Sequence, residues 1–308
     1  MVEASAFSPA GITSFFEMRD RQPDGHPFRD LTKAGARGGG PVISRGILTH
    51  VSLKPAAKSR IRVRINGRPA PEAGTTLSTV KGLLEISGEK QAVTVDHRVE
   101  VPVGAGYGAS AAGSLSAALA FAEAADLGMS VHQIGTVAHL AEITNKTGLG
   151  GIPPLLTGGL VLSRESGGPG IAVIDRIPVS SRLKVVSACL GPISTKAILR
   201  SAVLRKKVNT LGTSAFRSII TDPRPRNLMR ASRGFAYGLG LMSAETARLM
   251  EFMNDEGGIG ATQNMLGQAV HALAEEDVAQ TILRAVKKRF PRLPAFSCDI
   301  DFAGARIL

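Results

Sequence analysis

Pro102-Val-Gly104-Ala-Gly106-Tyr-Gly108-Ala-Ser110-Ala111-Ala-Gly113 is the stretch that decides the fold. Three glycines recur at every second position. The segment then runs into an apolar stretch in which Leu115, Ala118, Leu119 and Ala122 fall at helical spacing. Such glycines let the backbone turn successive N–H groups toward one point and remove side chains that would block an anion. The helix that follows adds its free N–H groups and the positive end of its dipole. The stretch therefore predicts a phosphate-binding loop. Ser110, at the helix start, can donate to a phosphate oxygen, ligate Mg²⁺, or simply cap the helix.

Two commoner phosphate loops fit less well. No Gly-Lys-Ser/Thr is present, which excludes a Walker A loop. Gly106-x-Gly108-x-x-Ala111 matches a loose dinucleotide fingerprint, but that motif needs a strand after its helix, ending in an acidic residue about 20 positions on. Here a second helix is predicted at about Ser130–Asn145, with Ile134, Val137, Ala138 and Ala141 on one face.

Upstream, the chain reads as strands and turns. Strands are predicted at Ala4–Phe7, Pro41–Leu53, Arg60–Ile65 and Gln91–Val101, with Asn66-Gly67 as a hairpin signal and a short helix at Thr76–Ile86. Downstream, strand-like runs return at Leu160–Ser163, Ile171–Ile177 and Leu183–Leu190. Helices follow at roughly 194–202, 206–220, 227–240 and 244–254, then a Gly-rich turn at Gly257–Gly260. A helix at Glu275–Phe290 and strands at Phe296–Asp301 and Ala305–Leu308 close the chain. This order predicts an α+β architecture in two lobes, residues 1–178 and 179–308, with a boundary near Pro178–Arg182.

Composition narrows the function classes. The 308 residues carry 37 Lys and Arg against 25 Asp and Glu, a net charge of +12 that attracts anions. Aromatics are 4% and Trp is absent, so base-stacking platforms are scarce. The basic residues are spread over several segments, among them Arg60, Arg62 and Arg64 on one strand face and a group at Lys196, Arg200, Arg205, Lys206 and Lys207. They read as solvated surface, and no nucleic-acid module accompanies them. Only Cys189 and Cys298 are present, in no metal-ligand spacing. No secretory leader is visible, so a reduced, cytoplasmic setting is expected. The uncharged stretch Val101–Ala122 is broken by Pro102 and three glycines, so no membrane span is expected.

At the glycine-rich loop the chain resembles the ATP-phosphate loop of the GHMP kinases, the galactokinase, homoserine kinase and mevalonate kinase superfamily. Within that superfamily it is similar to the archaeal pantoate kinases. The likeness runs in order through Phe7-Ser-Pro9-Ala-Gly-Ile-Thr-Ser-Phe15-Phe16-Glu17 and Lys33-Ala-Gly35-Ala-Arg37-Gly38-Gly-Gly40. It continues through Ala138-His139-Leu-Ala-Glu142, Thr147-Gly148-Leu-Gly150, Gly158-Gly159-Leu-Val-Leu-Ser-Arg164, Gly167-Gly-Pro169-Gly170 and Gly304-Ala-Arg306-Ile-Leu308. The resemblance implies a two-lobed GHMP-kinase fold with ATP over the glycine loop and the acceptor between the lobes. It implies ATP- and Mg²⁺-dependent phosphorylation of the terminal hydroxyl of pantoate on the archaeal route to coenzyme A. The expected partner is thus a small molecule, with neither nucleic acid nor membrane, and a homodimer is implied as well. The alternatives are another GHMP-type small-molecule kinase or a non-catalytic nucleotide-binding homologue.

By the same resemblance, Pro102, Gly104, Gly106, Gly108, Ser110 and Ala111 hold the nucleotide, and Ser110 and Glu142 serve catalysis and the metal. His139, Arg164 and Arg37 face the acceptor. Arg164 is the favoured clamp for its carboxylate, since a guanidinium binds one bidentately. A competing reading makes Glu142 half of a surface pair with Lys146, one turn on. The segment from Gly257–Gly260 to Gly267 occupies the family's third motif, beside the phosphate and acceptor sites. Two departures stand out. The family's Gly-Leu-Gly-Asp reads Gly148-Leu149-Gly150-Gly151, and its Gly-Ser-Arg-Gly reads Gly35-Ala36-Arg37-Gly38.

Overall fold

The computed structural model describes residues 1–22, 24–193 and 201–308. Nine strands form the first sheet: β1 (Val2–Gly11), β2 (Phe15–Arg19), β3 (Gly35–Pro55), β4 (Arg60–Ile65), β5 (Arg68–Pro69), β6 (Gln91–Val99), β7 (Leu160–Glu165), β8 (Val173–Arg176) and, from the end of the chain, β13 (Arg306–Ile307). Four form the second: β9 (Leu183–Pro192), β10 (Gly260–Gln263), β11 (Gly267–Glu275) and β12 (Ala295–Asp299). The first sheet runs β13-β1-β3-β6-β4-β5 and the second β10-β11-β9-β12. The 21-residue β3 serves two partnerships. Its first residues pair with β2 and β7, and the remainder with β1 and β6, past a register shift at Pro9/Ala10. The shift re-aims β3, as a bulge does, and the Arg37 end of the strand lines the same cavity as the glycine loop.

Eight α-helices lie among the described residues: α1 (Gly74–Ser87), α2 (Ala109–Ala124), α3 (Val131–Asn145), α4 (Ile152–Thr157), α5 (Ala202–Thr221), α6 (Pro225–Leu239), α7 (Ala244–Asp255) and α8 (Glu276–Arg289). The helix α2 packs on the first sheet against β1 and β3, α1 touches β4, and α3 packs on α1 and α2. Every α2 residue from Ala111 to Ala122 is buried. A helix buried on all sides must be small and apolar, which is what its run of alanines supplies. Its buried hydroxyls are satisfied: Ser116 donates to the Ala112 carbonyl at 2.8 Å, and Ser114 lies 2.7 Å from Thr79 Oγ1.

Local signals account for much of this. Asn66 and Gly67 both take positive φ (49° and 79°), the two-residue turn that joins twisted antiparallel strands. Ser130 and Gln133 form a reciprocal capping box at the start of α3. Other expectations change. Ala4–Phe7 extends into the ten-residue β1, and Phe15–Arg19 is a strand that local pattern does not mark. The segment after Gly257–Gly260 is not a simple turn before a helix but the β10–β11 hairpin. The helix expected at 194–202 falls, as far as residue 200, outside the described residues, as do Lys196 and Arg200. Among the described residues no helix is long and apolar enough to cross a membrane.

A buried cluster joins the two sheets, drawing Phe15, Phe16 and Tyr107 from one side and Val185, Phe216, Phe235 and Leu273 from the other. A polar bridge runs through it. Ser14 Oγ lies 2.9 Å from His271 Nε2, and His271 Nδ1 lies 2.8 Å from Asn264 Oδ1, all three residues being fully buried. Asn264 accepts, so Nδ1 carries the proton and Ser14 donates to Nε2. Burial holds His271 neutral, its pKa lowered to about 3.

Candidate active site

One cavity of about 450 Å³ lies above the start of α2, walled by the glycine loop, the Gly148–Gly151 turn, the Arg37 end of β3, and Met265 and Leu266. In the loop, Gly104, Gly106 and Gly108 all take positive φ (74°, 82° and 63°), while the intervening Ala105 and Tyr107 are 1% exposed. Alternation of φ sign turns consecutive N–H groups toward one side, an anion-binding concavity. Tyr107 anchors the loop from beneath, its hydroxyl 2.8 Å from Ser187 Oγ, which itself donates to the Val270 carbonyl. A Cβ on Gly106 would stand 2.8 Å from that of Asn264. Glycine is therefore required there by the third-motif segment pressing on the loop, as well as by its φ.

Ser110 is not a cap. Gly108 is the N-cap residue of α2, in left-handed conformation and with no side-chain cap. Ser110 instead donates to Thr75 Oγ1 at 3.0 Å, and its half-buried hydroxyl is part of the cavity wall. Ala111 also lines the cavity, whereas Pro102 does not.

Glu142 is 3% exposed, and its Oε2 accepts from the Gly151 N–H at 3.3 Å. Burial raises its pKa to about 7. The reading as a surface pair fails: Glu142 is buried while Lys146 is exposed. Lys146 terminates α3 in left-handed conformation (φ 55°) and lines the cavity mouth. A Cβ on Gly148 would overlap the Glu142 carboxylate, so the turn can wrap the acid only because it is glycine there.

Arg37 and Arg164 part company. Ser163 lines the cavity, whereas Arg164, at a register irregularity of β7, is outside the lining, half-exposed, with its Nη1 3.4 Å from Asp175 Oδ2. Arg37 is in the wall. Its Nε and Nη2 donate to Glu17 Oε2 at 3.0 and 2.6 Å, and its guanidinium stacks 4.4 Å above the Phe216 ring. The other Glu17 oxygen takes bonds from Thr213 and Arg19. His139 is fully buried behind the wall, with Nε2 3.1 Å from the Ala34 carbonyl and Nδ1 unpartnered. Burial lowers its pKa. Thr75, Thr147 and Asn264 complete the site's polar framework, and neither spacing nor periodicity marks them.

Among the described residues no group of three or more His, Cys, Asp or Glu side chains could hold a metal ion. The side-chain oxygens lining the cavity include the Ser110 hydroxyl and the under-compensated carboxylate of Glu142. One carboxylate and a hydroxyl, completed by nucleotide phosphates, suit Mg²⁺, a hard cation that keeps few protein ligands.

The family profile described as GHMP kinases N terminal domain matches residues 75–159. The chain is 32% identical over 280 residues to the pantoate kinase of Thermococcus kodakarensis, covering 89% of each. It is 29% identical to that of Methanospirillum hungatei, covering 100% of this chain and 97% of the relative. A solved structure titled as a phosphotransferase related to the CoA biosynthesis pathway superposes with a TM-score of 0.88 at 27% identity, covering 99% and 98% of the two chains. Identity sustained over this length, on a fold that carries the phosphate loop, shows that the chain belongs to the pantoate kinase family of the GHMP kinases.

Proposed function

We propose that the protein transfers the γ-phosphoryl group of ATP to the terminal hydroxyl of pantoate, giving 4-phosphopantoate. The observation that carries this is the convergence of the glycine-loop nest, Ser110, Glu142 and Arg37 on one cavity. The relatives named as pantoate kinases support the choice of acceptor.

In this reading the N–H groups of residues 104–111 cradle the phosphates. Ser110 and Glu142 would hold Mg²⁺, which when bound would neutralise charge on the phosphates. Arg37 sits where it can offer an outward N–H to the acceptor carboxylate while Glu17 and Phe216 keep its plane fixed. Arg164 and His139 lie outside the cavity lining, the first exposed and paired with Asp175, the second buried against the Ala34 carbonyl. Among the described residues Glu142 is the one carboxylate of the lining. Without a second, the acceptor proton is not taken by an acid at position 151. Phosphoryl transfer tolerates this, because its loose transition state depends chiefly on positioning and charge stabilisation.

The test is ADP release by purified protein with ATP and Mg²⁺ against pantoate, mevalonate and homoserine. Release that requires pantoate supports the reading. Release with another acceptor alone, or with none of the three, defeats it.

A further inference from the structure

A chain of three hydroxyls links two residues of the cavity wall, Ser110 and Thr147, through the buried Thr75. Ser110 Oγ lies 3.0 Å from Thr75 Oγ1 and donates to it. Thr75 Oγ1 lies 3.0 Å from Thr147 Oγ1, and Thr147 Oγ1 lies 3.4 Å from the main-chain carbonyl of Glu142. A hydroxyl has one proton to give, whereas a carbonyl oxygen can only accept. Thr147 therefore gives its proton to Glu142. With that proton committed, Thr147 accepts from Thr75, and Thr75 accepts from Ser110. Thr75 is 5% exposed, so bulk water offers no competing partner.

The order of protons has a consequence at the wall. The Ser110 proton is directed inward, and only oxygen lone pairs are left facing the cavity. Lone pairs attract a cation and repel a phosphate oxygen. Thr75 gains nothing of its own from this place: it sits in the first turn of α1, whose N-terminus has no side-chain cap. Its hydroxyl is spent on joining α1 to the start of α2 and, through Thr147, to the end of α3.

We propose that Thr75 is a positioning residue that fixes the Ser110 hydroxyl as an acceptor, so that Ser110 ligates the divalent cation accompanying the nucleotide and does not donate to the phosphates. This rests on the reading of the cavity as an ATP site. It adds a residue of α1, 35 positions before Ser110, to the machinery.

Thr75→Val keeps the shape and removes the acceptor, while Thr75→Ser keeps the acceptor. Binding of a β,γ-non-hydrolysable ATP analogue is titrated calorimetrically with Mg²⁺ and again in EDTA, and Mn²⁺ binding is followed by its paramagnetic resonance signal. Residues that orient metal ligands typically alter metal affinity ~10–100-fold, so Thr75→Val should weaken Mg²⁺-dependent binding by at least about tenfold and metal-free binding by less than about twofold. Thr75→Ser should follow the parent. Thr147→Val, which frees the Thr75 proton to point at Ser110, should shift binding in the same direction as Thr75→Val and serves if that variant does not fold. Equal weakening with and without Mg²⁺ would mean that Thr75 only packs the loop, and unchanged titrations would mean that hydroxyl order is irrelevant; either overturns the proposal. Ser110→Ala separates the layers. If it leaves Mg²⁺ dependence intact, the assignment of Ser110 to the metal fails too. If it abolishes that dependence while Thr75→Val does not, only the role of Thr75 falls.

Discussion

Position 151, where the family pattern carries Asp, is held at Gly by a neighbour. The backbone there is helical, with φ −71° and ψ −35°, which any residue adopts. Conformation alone would thus make Gly151→Ala mildly stabilising, by ~0.4–1 kcal/mol through the unfolded chain. Space argues the other way. A Cβ at 151 would stand 2.7 Å from the Ala111 Cβ and 3.4 Å from both Glu142 oxygens. Favourable carbon contacts lie at ~3.5–4.0 Å, so the overlap is about 1 Å. Ala111 is fully buried on α2 and has no rotamer to yield. We predict that Gly151→Ala costs ~1–3 kcal/mol, the usual range for overpacking. Gly151→Asp should cost more, because it adds a second carboxylate beside a buried one and pushes the Glu142 pKa still higher. Adding Ala111→Gly should recover most of the steric part, leaving a coupling energy of ~1–2 kcal/mol in the double-mutant cycle. Urea unfolding of the four proteins without metal at pH 8 reads these values. A Gly151→Ala protein within ~0.5 kcal/mol of the parent, the range of inconsequential substitutions, would refute the reasoning.

Glu142→Gln removes an acid whose folded pKa is raised from 4.5 to about 7. The folded parent keeps that proton longer than the unfolded chain, so its metal-free stability falls as pH rises through this window. The variant should lack that fall and be more stable at pH 8 by up to about 3 kcal/mol, taking 1.36 kcal/mol per unit. Melts at pH 5 and pH 8 that stay parallel for the two proteins would contradict this. Burial depresses the pKa of His271 from 6.5 to about 3, so the stability it contributes is present above 6.5 and lost as pH falls toward 3. His271→Gln should flatten that acid limb in pH-dependent unfolding, and an unaltered limb would discount the histidine. Arg37→Ala should raise the acceptor KM by an amount worth ~2–4 kcal/mol, while the exposed Arg164→Ala should cost under ~1 kcal/mol. Steady-state kinetics giving the reverse order would return the clamp to Arg164.

The elements legible in the sequence are those whose causes are local. Glycines at alternate positions and a hairpin turn at Asn66-Gly67 each act within a few residues of chain, so spacing reveals them. The β10–β11 hairpin was not legible, because β11 is buried on both faces and its residues lack the alternation that marks a half-covered strand. The glycine loop was readable as a phosphate cradle, but not its dependence on Asn264, which arrives from more than 150 residues away. The family resemblance suggested two arginines for the acceptor. Only the folded chain puts Ser163 in the cavity lining and leaves Arg164 exposed beside Asp175. Likewise, the i+4 spacing of Glu142 and Lys146 suggests a surface pair until α3 is packed. Packing against α2 and the Gly148–Gly151 turn then takes the carboxylate out of water and leaves the lysine in it. Side-chain identity and local backbone preference are properties of the sequence. Burial, proton order and the facing of a strand arise from contacts between distant segments, which exist only once the chain has folded.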